Sequence, residues 1–216
     1  MSVTLLLTIG APLAIIAFII YSDKFKEPID LILKTFFIGI FLCIPAGELN
    51  YLLIRSPDQS YFAGLTEESL KFLVLYFYIR PKTAFNEPMD AIVYGTIASL
   101  GFATLENISY VYLGDPEIDS FSIAIMRAIS AIPLHATCGI IMGYFFGLYA
   151  FLGSKLSLIQ SLIIPISIHA IYNYLTGFGF LWFYFLLAIM LYAQHLHKKV
   201  ADLQATKSIE GENKTL

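Results

Sequence analysis

The chain has 216 residues, of which 58% are hydrophobic and only 13% are charged, and its mean hydropathy is +0.75. Soluble proteins carry charge on about a quarter of their residues, so this composition excludes an ordinary soluble domain. It predicts an all-α, polytopic transmembrane helix bundle in a lipid bilayer. The net charge of −3 is small, and nothing in the charge pattern indicates a nucleic-acid partner.

Seven apolar segments are predicted to cross the bilayer. A spanning helix needs about 20 mostly apolar residues, and the positions of Pro, Gly and charged residues divide the chain into such segments. These are residues 3–21, 29–53, 61–80, 90–112, 132–152, 157–175 and 178–196. We expect residues 1–200 to form a single transmembrane domain, and residues 201–216 to form a polar, disordered cytoplasmic tail.

The distribution of basic residues predicts the orientation of the chain. The first segment lacks a basic leader and its positive charges follow it, so we interpret it as a retained span and not as a signal peptide. Alternate connections carry the basic residues Lys24, Lys26, Arg80, Lys82, Lys155, Lys198 and Lys199. The opposite connections hold only Arg55, the acidic turn 114–119 and Thr176-Gly177. The positive-inside rule then places the N-terminus outside and the C-terminus in the cytoplasm.

Two local patterns concern the packing of the spans. Residues 120–131, just before Pro133, are interpreted either as a short helix at the outer interface or as the first turns of a long fifth span. Small residues recur at every fourth position of the fourth and fifth segments, a spacing that lets helix backbones approach closely. They are Gly95, Ser99, Ala103, Gly139, Gly143 and Gly147.

Two adjacent carboxylates, Glu67 and Glu68, lie within the third segment. A charge near the centre of a bilayer costs about 2.5–3.5 kcal/mol, so such residues indicate a functional site and need a partner. Lys71 lies three and four residues later, which places it on the same helical face. We expect Lys71 to be the charge partner of this pair.

Other polar residues are predicted to lie at the same depth. At a rise of about 1.5 Å per residue, Glu67, Glu106 and His169 each lie roughly 9 Å below the outer edge of their segments. His135 begins the fifth segment on that side, and Asn173 shares a face with His169. The sequence therefore predicts one polar layer towards the outer surface.

The residue types in this layer suit hydrolysis of a peptide bond. A carboxylate and an imidazole can deprotonate a water, and His and Asn donors can stabilise an oxyanion. No His-Glu-x-x-His or Gly-x-Ser-x-Gly motif is present. The predicted catalytic residues are Glu67, Glu68, Glu106, His135, His169 and Asn173.

Several residues have a structural interpretation beside a functional one. Glu48, Asn50 and Asn107 are interpreted as structural or rim residues, and Arg127 as an interfacial anchor. Cys138 could form a nucleophile with His135, or it could be a small packing residue. For the layer as a whole, a proton-coupled transporter and a catalytically silent scaffold are the alternatives to an enzyme.

A family resemblance rests on several strings that cover nearly the whole chain in order. They are Lys26-Glu27-Pro28, Glu67-Glu68-Ser69-Leu70-Lys71-Phe72, Asp90-Ala91-Ile92-Val93-Tyr94-Gly95, Gly101-Phe102-Ala103-Thr104-Leu105-Glu106-Asn107, His135 with Gly139-Ile140-Ile141-Met142-Gly143-Tyr144, and His169-Ala170-Ile171-Tyr172-Asn173. Together they resemble the PrsW family of bacterial membrane proteases, which is related to prenyl-protein CAAX endopeptidases and bacteriocin-immunity proteases.

The resemblance implies a protease in the bacterial cell membrane that cuts a membrane-anchored protein, such as an anti-sigma factor, on its extracytoplasmic side. It also implies that Glu67 and His135 activate water, and that His169 and Asn173 bind the oxyanion. Asn173 departs from the pattern, because this position is often Asp in the family. A reaction without a cofactor is expected, with zinc left open as an alternative whose ligands would be Glu67, His135 and His169.

Overall fold

The computed structural model describes residues 2–213, and this part of the chain is helical without β-strands. The helices are α1 (Val3–Ser22), α2 (Ile29–Leu53), α3 (Phe62–Leu73), α4 (Pro88–Tyr112), α5 (Ser120–Ile129), α6 (Ala131–Leu152), α7 (Lys155–Leu175) and α8 (Leu181–Asn213). A short 3₁₀ turn, Pro57–Gln59, precedes α3, and π-helical turns over Val74–Ile79 extend it. The predicted all-α class is confirmed.

Five helical segments are long and apolar enough to cross a membrane. They are α1, α2, α4, α7 and the stretch formed by α5 and α6 together. The chain is therefore a multi-pass membrane protein. α3 is short and charged, and α8 carries Gln194, His195 and His197, which explains why neither reaches the same apolar character. The count of seven spans and the outward N-terminus stay predictions.

Helix α4 lies at the centre of the bundle. It packs against α6, α2 and α1, and most of its residues are buried. α7 packs on α6 and α3, and α3 also contacts α2. This arrangement brings the polar residues of α3, α4, α6 and α7 towards one another, although they are far apart in sequence.

Close backbone contact between α4 and α6 depends on glycine, as the small-residue spacing predicts. A Cβ added to Gly143 would lie 2.3 Å from the carbonyl oxygen of Ala91, and one added to Gly139 would lie 2.8 Å from that of Gly95. A second close contact, between α2 and α4, was not expected from spacing. There, a Cβ on Gly39 would lie 2.2 Å from the oxygen of Ala98.

The backbone breaks between α5 and α6, within the segment for which two interpretations were given. Asp119 caps α5 by accepting a hydrogen bond from the backbone N–H of Ser122 at 2.9 Å. Ser130, with φ −128° and ψ −76°, then separates the two helices. α5 is thus a distinct short helix, and its place at the membrane interface stays a prediction.

The end of the chain differs from the expected disordered tail. α8 continues through residue 201 to Asn213, and only residues 214–216 of the predicted tail lie outside the described part. Gln204 accounts for the difference, because its side chain is buried and donates hydrogen bonds to Asp23 and Glu87. These contacts fix the first turns beyond residue 200 against the bundle.

The glycine contact predicts a specific loss of stability. Gly143→Ala should lower the free energy of unfolding by about 1–3 kcal/mol, because the added methyl group overlaps backbone atoms that cannot move independently. Gly47→Ala is the matched control, since a Cβ there meets nothing within 4 Å and alanine favours the helix by up to about 1 kcal/mol. Thermal unfolding in detergent measures both, and equal stability of the two variants would contradict the packing argument.

Candidate active site

A cavity of about 360 Å³ collects polar side chains from six helices, α2 to α7, and the loop before α3. Five of the six predicted catalytic residues belong to its wall, all except Glu68. The lining residues with polar side chains are Asn50, Ser60, Glu67, Glu106, Tyr110, Arg127, Ser130, His135, His169, Tyr172, Asn173 and Thr176. The predicted convergence on one layer is therefore present in the structure. Glu68 and Lys71 lie behind this wall and are fully buried.

Lys71 is the central cation of the site. Its Nζ donates to Glu68 Oε1 at 2.7 Å and lies 3.6 Å from Glu67 Oε2, so both predicted pairings are present. The same Nζ lies 2.9 Å from His135 Nδ1 and 4.3 Å from the centroid of the Phe102 ring. A buried ammonium with these neighbours holds α3, α4 and α6 in one fixed arrangement.

The contacts of His135 define its tautomer. A lysine ammonium donates but cannot accept, so His135 Nδ1 must accept the hydrogen bond from Lys71. The proton of a neutral ring therefore lies on Nε2, which donates to Glu106 Oε2 at 3.0 Å. Both ring nitrogens are occupied by protein partners in this arrangement.

His169 has one nitrogen in contact with carboxylates and one without a protein partner. Nδ1 lies 2.9 Å from Glu68 Oε1 and 4.0 Å from Glu67 Oε2. Among the described residues, no hydrogen bond involves Nε2. The ring centroids of His135 and His169 are 5.2 Å apart, so the two imidazoles share the same wall of the cavity.

Glu67 combines burial with an oxygen that lacks a hydrogen bond. Its Oε1 accepts from Asn50 Nδ2 at 3.2 Å, while Oε2 is buried with no hydrogen-bond partner in the described residues. Asn50 is held in turn, because its Oδ1 accepts a hydrogen bond from Thr66. Such a carboxylate oxygen has spare acceptor capacity beside the cavity, which is what a group that receives a proton from water needs.

Asn173 lies in the cavity wall, one helical turn after His169. Its Nδ2 donates to the backbone oxygen of Ser60 at 3.0 Å. Because an amide NH₂ has two donors, this bond orients the side chain and leaves a second N–H. The loop between α2 and α3 therefore positions Asn173.

Two residues that the sequence indicated as peripheral form hydrogen bonds with the predicted catalytic residues. Arg127, interpreted as an interfacial anchor, donates hydrogen bonds to Glu106 and Asn107 from the separate helix α5. Asn50, interpreted as a rim residue, contacts Glu67 directly. The depth of Asn50 near the end of its span could have identified it as a residue of the site. The pairing of Arg127 with Glu106 depends on tertiary structure alone.

The remaining candidates have structural positions. Glu48 is exposed and is not part of the cavity wall. Asn107 is buried and donates to the backbone oxygen of Thr8 at 3.1 Å. Cys138 is buried with its Sγ 3.8 Å from the carbonyl oxygen of Pro165, so the geometry favours packing over a Cys-His nucleophile.

The formal charges of the site do not cancel. Three carboxylates, Glu67, Glu68 and Glu106, meet two cations, Lys71 and Arg127. With both imidazoles neutral, one negative charge remains in excess. Since isolated buried charge is strongly unfavourable, the site favours either one additional proton or a bound cation.

The donor set also fits a metal ion. Glu67, Glu68, His135 and His169 are all buried, and each offers one ligand atom within 4.8 Å of the others. Oxygen and imidazole nitrogen are zinc ligands, and Glu67 and Glu68 each have an oxygen without a hydrogen bond. The hydrogen bond from His135 Nε2 to Glu106 matches the carboxylate–histidine pairs that orient metal-binding histidines.

Removing the central cation should destabilise the protein. Lys71→Met leaves Glu67 and Glu68 buried without their counter-ion, and breaking such a pair typically costs about 3–5 kcal/mol. Thermal unfolding in detergent should show this loss, and the double variant Lys71→Met/Glu68→Gln should recover part of it. If the two substitutions were simply additive, the direct pairing would not be the source of the stability.

Comparison with known proteins assigns the chain to a family. Residues 27–194 match the model of the PrsW family of intramembrane metalloproteases. Protease PrsW of Bacillus subtilis (strain 168) is 33% identical over 195 residues, covering 85% of this chain and 87% of that protein. Protease PrsW of Geobacillus kaustophilus (strain HTA426) is 34% identical over 188 residues, covering 82% and 81%. No solved structure matches the chain.

The family match over residues 27–194 includes the helices that build the cavity. They agree with the buried His and Glu side chains and with the apolar helices that cross the membrane. The chain therefore belongs to the PrsW family of intramembrane metalloproteases and is a multi-pass membrane peptidase of bacterial type.

Proposed function

We propose that this peptidase hydrolyses a peptide bond of a membrane-anchored protein in the cavity between α3, α4, α6 and α7. The observation that carries the proposal is Glu67 Oε2, a buried carboxylate oxygen without a hydrogen bond, 4.0 Å from His169 Nδ1. A transporter or a scaffold would not need this combination of an unpaired acceptor with oriented donors. Membership of a protease family also argues against both alternatives.

Glu67 acts as the general base in this proposal. Its Oε2 takes a proton from a water, and the oxygen of that water forms a bond to the carbon of the scissile peptide group. The C–N bond then breaks, and the proton passes from Glu67 to the leaving amine nitrogen. Overall, one water is added across one peptide bond, so atoms and charges balance.

His169 and Asn173 stabilise the oxyanion. If the excess negative charge of the site is balanced by a proton on His169, Nδ1–H donates to Glu68 and Nε2–H is available to the substrate oxygen. The second N–H of Asn173 lies on the same helix, one turn away. Preorganised donors of this kind are worth about 10²–10³-fold in rate each.

Four residues position the reacting groups without contacting the substrate in this proposal: Glu68, His135, Glu106 and Lys71. Glu68 and Lys71 lie behind the cavity wall, and both nitrogens of His135 have protein partners. This assignment differs from the family resemblance, which pairs His135 with Glu67 for water activation. The hydrogen-bond donors and acceptors of the His135 ring support this assignment.

The alternative to this metal-free reaction is a zinc site, with Glu67, His135 and His169 as ligands and Glu68 in the same group. In that alternative Glu67 would bind the metal and would not be the general base. A bound zinc ion would supply a Lewis acid that activates water and polarises the scissile carbonyl. The chain orients His135 for that purpose through Glu106, which Arg127 fixes from α5. Lys71 contacts two of these donors, Glu68 and His135, and balances carboxylate charge.

We infer that the substrate is cut on the extracytoplasmic side. The cavity is formed by the outer ends of the predicted spans, given the orientation that the basic residues indicate. The family resemblance suggests a membrane-anchored anti-sigma factor as the substrate. The whole domain over residues 1–200 would serve this one reaction.

Substitution of the proposed base should abolish cleavage. Glu67→Gln keeps the shape of the side chain but cannot accept the proton, so cleavage of a co-expressed single-span reporter should fall about 10²-fold or more. Glu68→Gln and His169→Ala should also abolish cleavage. Immunoblotting of reporter and enzyme measures product and abundance together.

Glu48→Gln is the matched control, because this glutamate is exposed outside the cavity. The Glu48→Gln variant should cleave the reporter as the wild type does. Loss of enzyme abundance in all three site variants would favour a purely structural layer, and full activity of Glu67→Gln would exclude the proposed base. Comparing membrane-proteome termini between wild type and a Glu67→Gln strain identifies the natural substrate and the cleaved bond.

Metal content of the purified protein tests the zinc arrangement. The zinc alternative predicts that elemental analysis finds zinc bound to the wild type and strongly reduced zinc in His135→Ala and His169→Ala, since each loses a ligand. Glu48→Gln should retain the wild-type content. Protein that is free of zinc, and whose activity survives chelation, would establish the metal-independent reaction instead.

A further inference from the structure

A second group of carboxylates lies at the opposite end of α4 from the active site. Asp23 and Glu27, in the connection between α1 and α2, and Asp90, in the first turn of α4, each offer an oxygen within 4.8 Å of the others. Asp90 precedes Glu106 by 16 residues, which corresponds to about 24 Å along the helix. The group is therefore separate from the cavity that contains Glu67.

Burial makes this arrangement costly without a counter-charge. Asp90 is fully buried, Asp23 is 2% exposed and Glu27 is half-buried. None of the three forms an ion pair with a Lys or Arg among the described residues. The neighbouring Lys26 instead donates to backbone oxygens at the end of α1.

Asp90 supplies an unused ligand atom. Its Oδ2 accepts hydrogen bonds from the backbone N–H groups of Asn86 and Glu87 at 2.6 and 2.8 Å, which caps α4. Its Oδ1 is buried with no hydrogen-bond partner in the described part of the chain. A capping residue needs only one oxygen for that purpose, so the second remains available to a ligand.

The other two carboxylates are oriented by neutral donors. The hydroxyl of Tyr94 donates to Glu27 Oε2. Gln204 Nε2 donates to Asp23 Oδ1 at 2.8 Å and also to Glu87 Oε1, and so connects α8 to this group. Neutral donors orient carboxylates without supplying a counter-charge, and such outer contacts are typical of metal ligands.

We propose that Asp23, Glu27 and Asp90 bind a hard divalent cation, Mg²⁺ or Ca²⁺. Both ions prefer carboxylate oxygens, whereas zinc prefers the nitrogen-containing set of the active site. The cation neutralises the buried charge and joins the α1–α2 connection to the start of α4. Through Gln204 it also stabilises the position of α8.

The test uses the full-length protein in detergent after chelation and dialysis. Mg²⁺ or Ca²⁺ should raise the apparent melting temperature of the wild type by about 5 °C at concentrations well above the dissociation constant. Mn²⁺, used as a paramagnetic probe, should bind saturably and be displaced by Mg²⁺. Glu27→Gln and Asp90→Asn should lose both effects, because each keeps its hydrogen-bond acceptor but loses its charge.

Two controls separate this site from the active site and from general charge. Glu67→Gln and His169→Ala should retain the Mg²⁺ response, and Asp115→Asn, in an exposed turn, should behave like the wild type. These controls also decide the case if Glu27→Gln and Asp90→Asn fail to fold. Saturable Mn²⁺ binding that survives in the active-site variants would then support the second site, and its loss there would overturn the proposal.

Two other results would overturn it. One is a wild type that neither binds Mn²⁺ nor gains stability from Mg²⁺ or Ca²⁺. The other is an unchanged cation response in Glu27→Gln and Asp90→Asn. If these variants were more stable than the wild type in chelator and insensitive to cations, the carboxylates would share a proton instead.

Discussion

The buried ammonium of Lys71 is the interaction on which the rest of the site depends. A carboxylate in a low-dielectric interior is tolerated only with a counter-charge or a proton, and Glu67 and Glu68 are both buried. By contacting Glu68 and His135, Lys71 also fixes the donor and acceptor roles of the imidazole. From there the hydrogen bonds continue to Glu106 and to Arg127 on α5. One cation thus connects four helices electrostatically.

The geometry of this network requires a rigid bundle, and glycine makes the bundle rigid. Where Gly139 and Gly143 face α4, and Gly39 faces it from α2, the backbones touch without intervening side chains. Interhelical distances are then set by the main chain, which cannot change rotamer. Glu106 on α4 and His135 on α6 keep their separation for that reason, as a site that must hold a reacting bond requires.

Much of the site could be predicted from sequence, because its strongest signals are local. Glu67, Glu68 and Lys71 share one helical face, and charges within an apolar segment are conspicuous whatever the fold. Helical rise alone placed Glu106 and His169 at a common depth. Contacts between helices could not be obtained this way. The partner of Arg127 depends on how α5 turns back over α4, and the choice of His169 over His135 as the open imidazole depends on which nitrogen faces which neighbour.

In the fold too, local features could be predicted from the sequence and tertiary contacts could not. Helix bounds followed from Pro, Gly and charge. The continuation of α8 beyond residue 200 instead depends on Gln204, a polar residue whose partners Asp23 and Glu87 are 181 and 117 positions away. Composition suggested a disordered segment there, since polar sequence has little apolar area to bury. A buried amide between two acids is a tertiary feature that no local pattern reveals.

The π-helical turns over Val74–Ile79 have a consequence for the chain length that α3 can tolerate. A wider turn accommodates one more residue than an α-turn does, and such turns frequently lie at functional sites. Shortening this stretch by one residue would let it relax to ordinary α-helix while Lys71 stays in place. The same deletion between Glu68 and Lys71 would rotate the lysine by about 100° around the axis. The helix is thus adaptable downstream of the lysine and intolerant of length changes upstream of it.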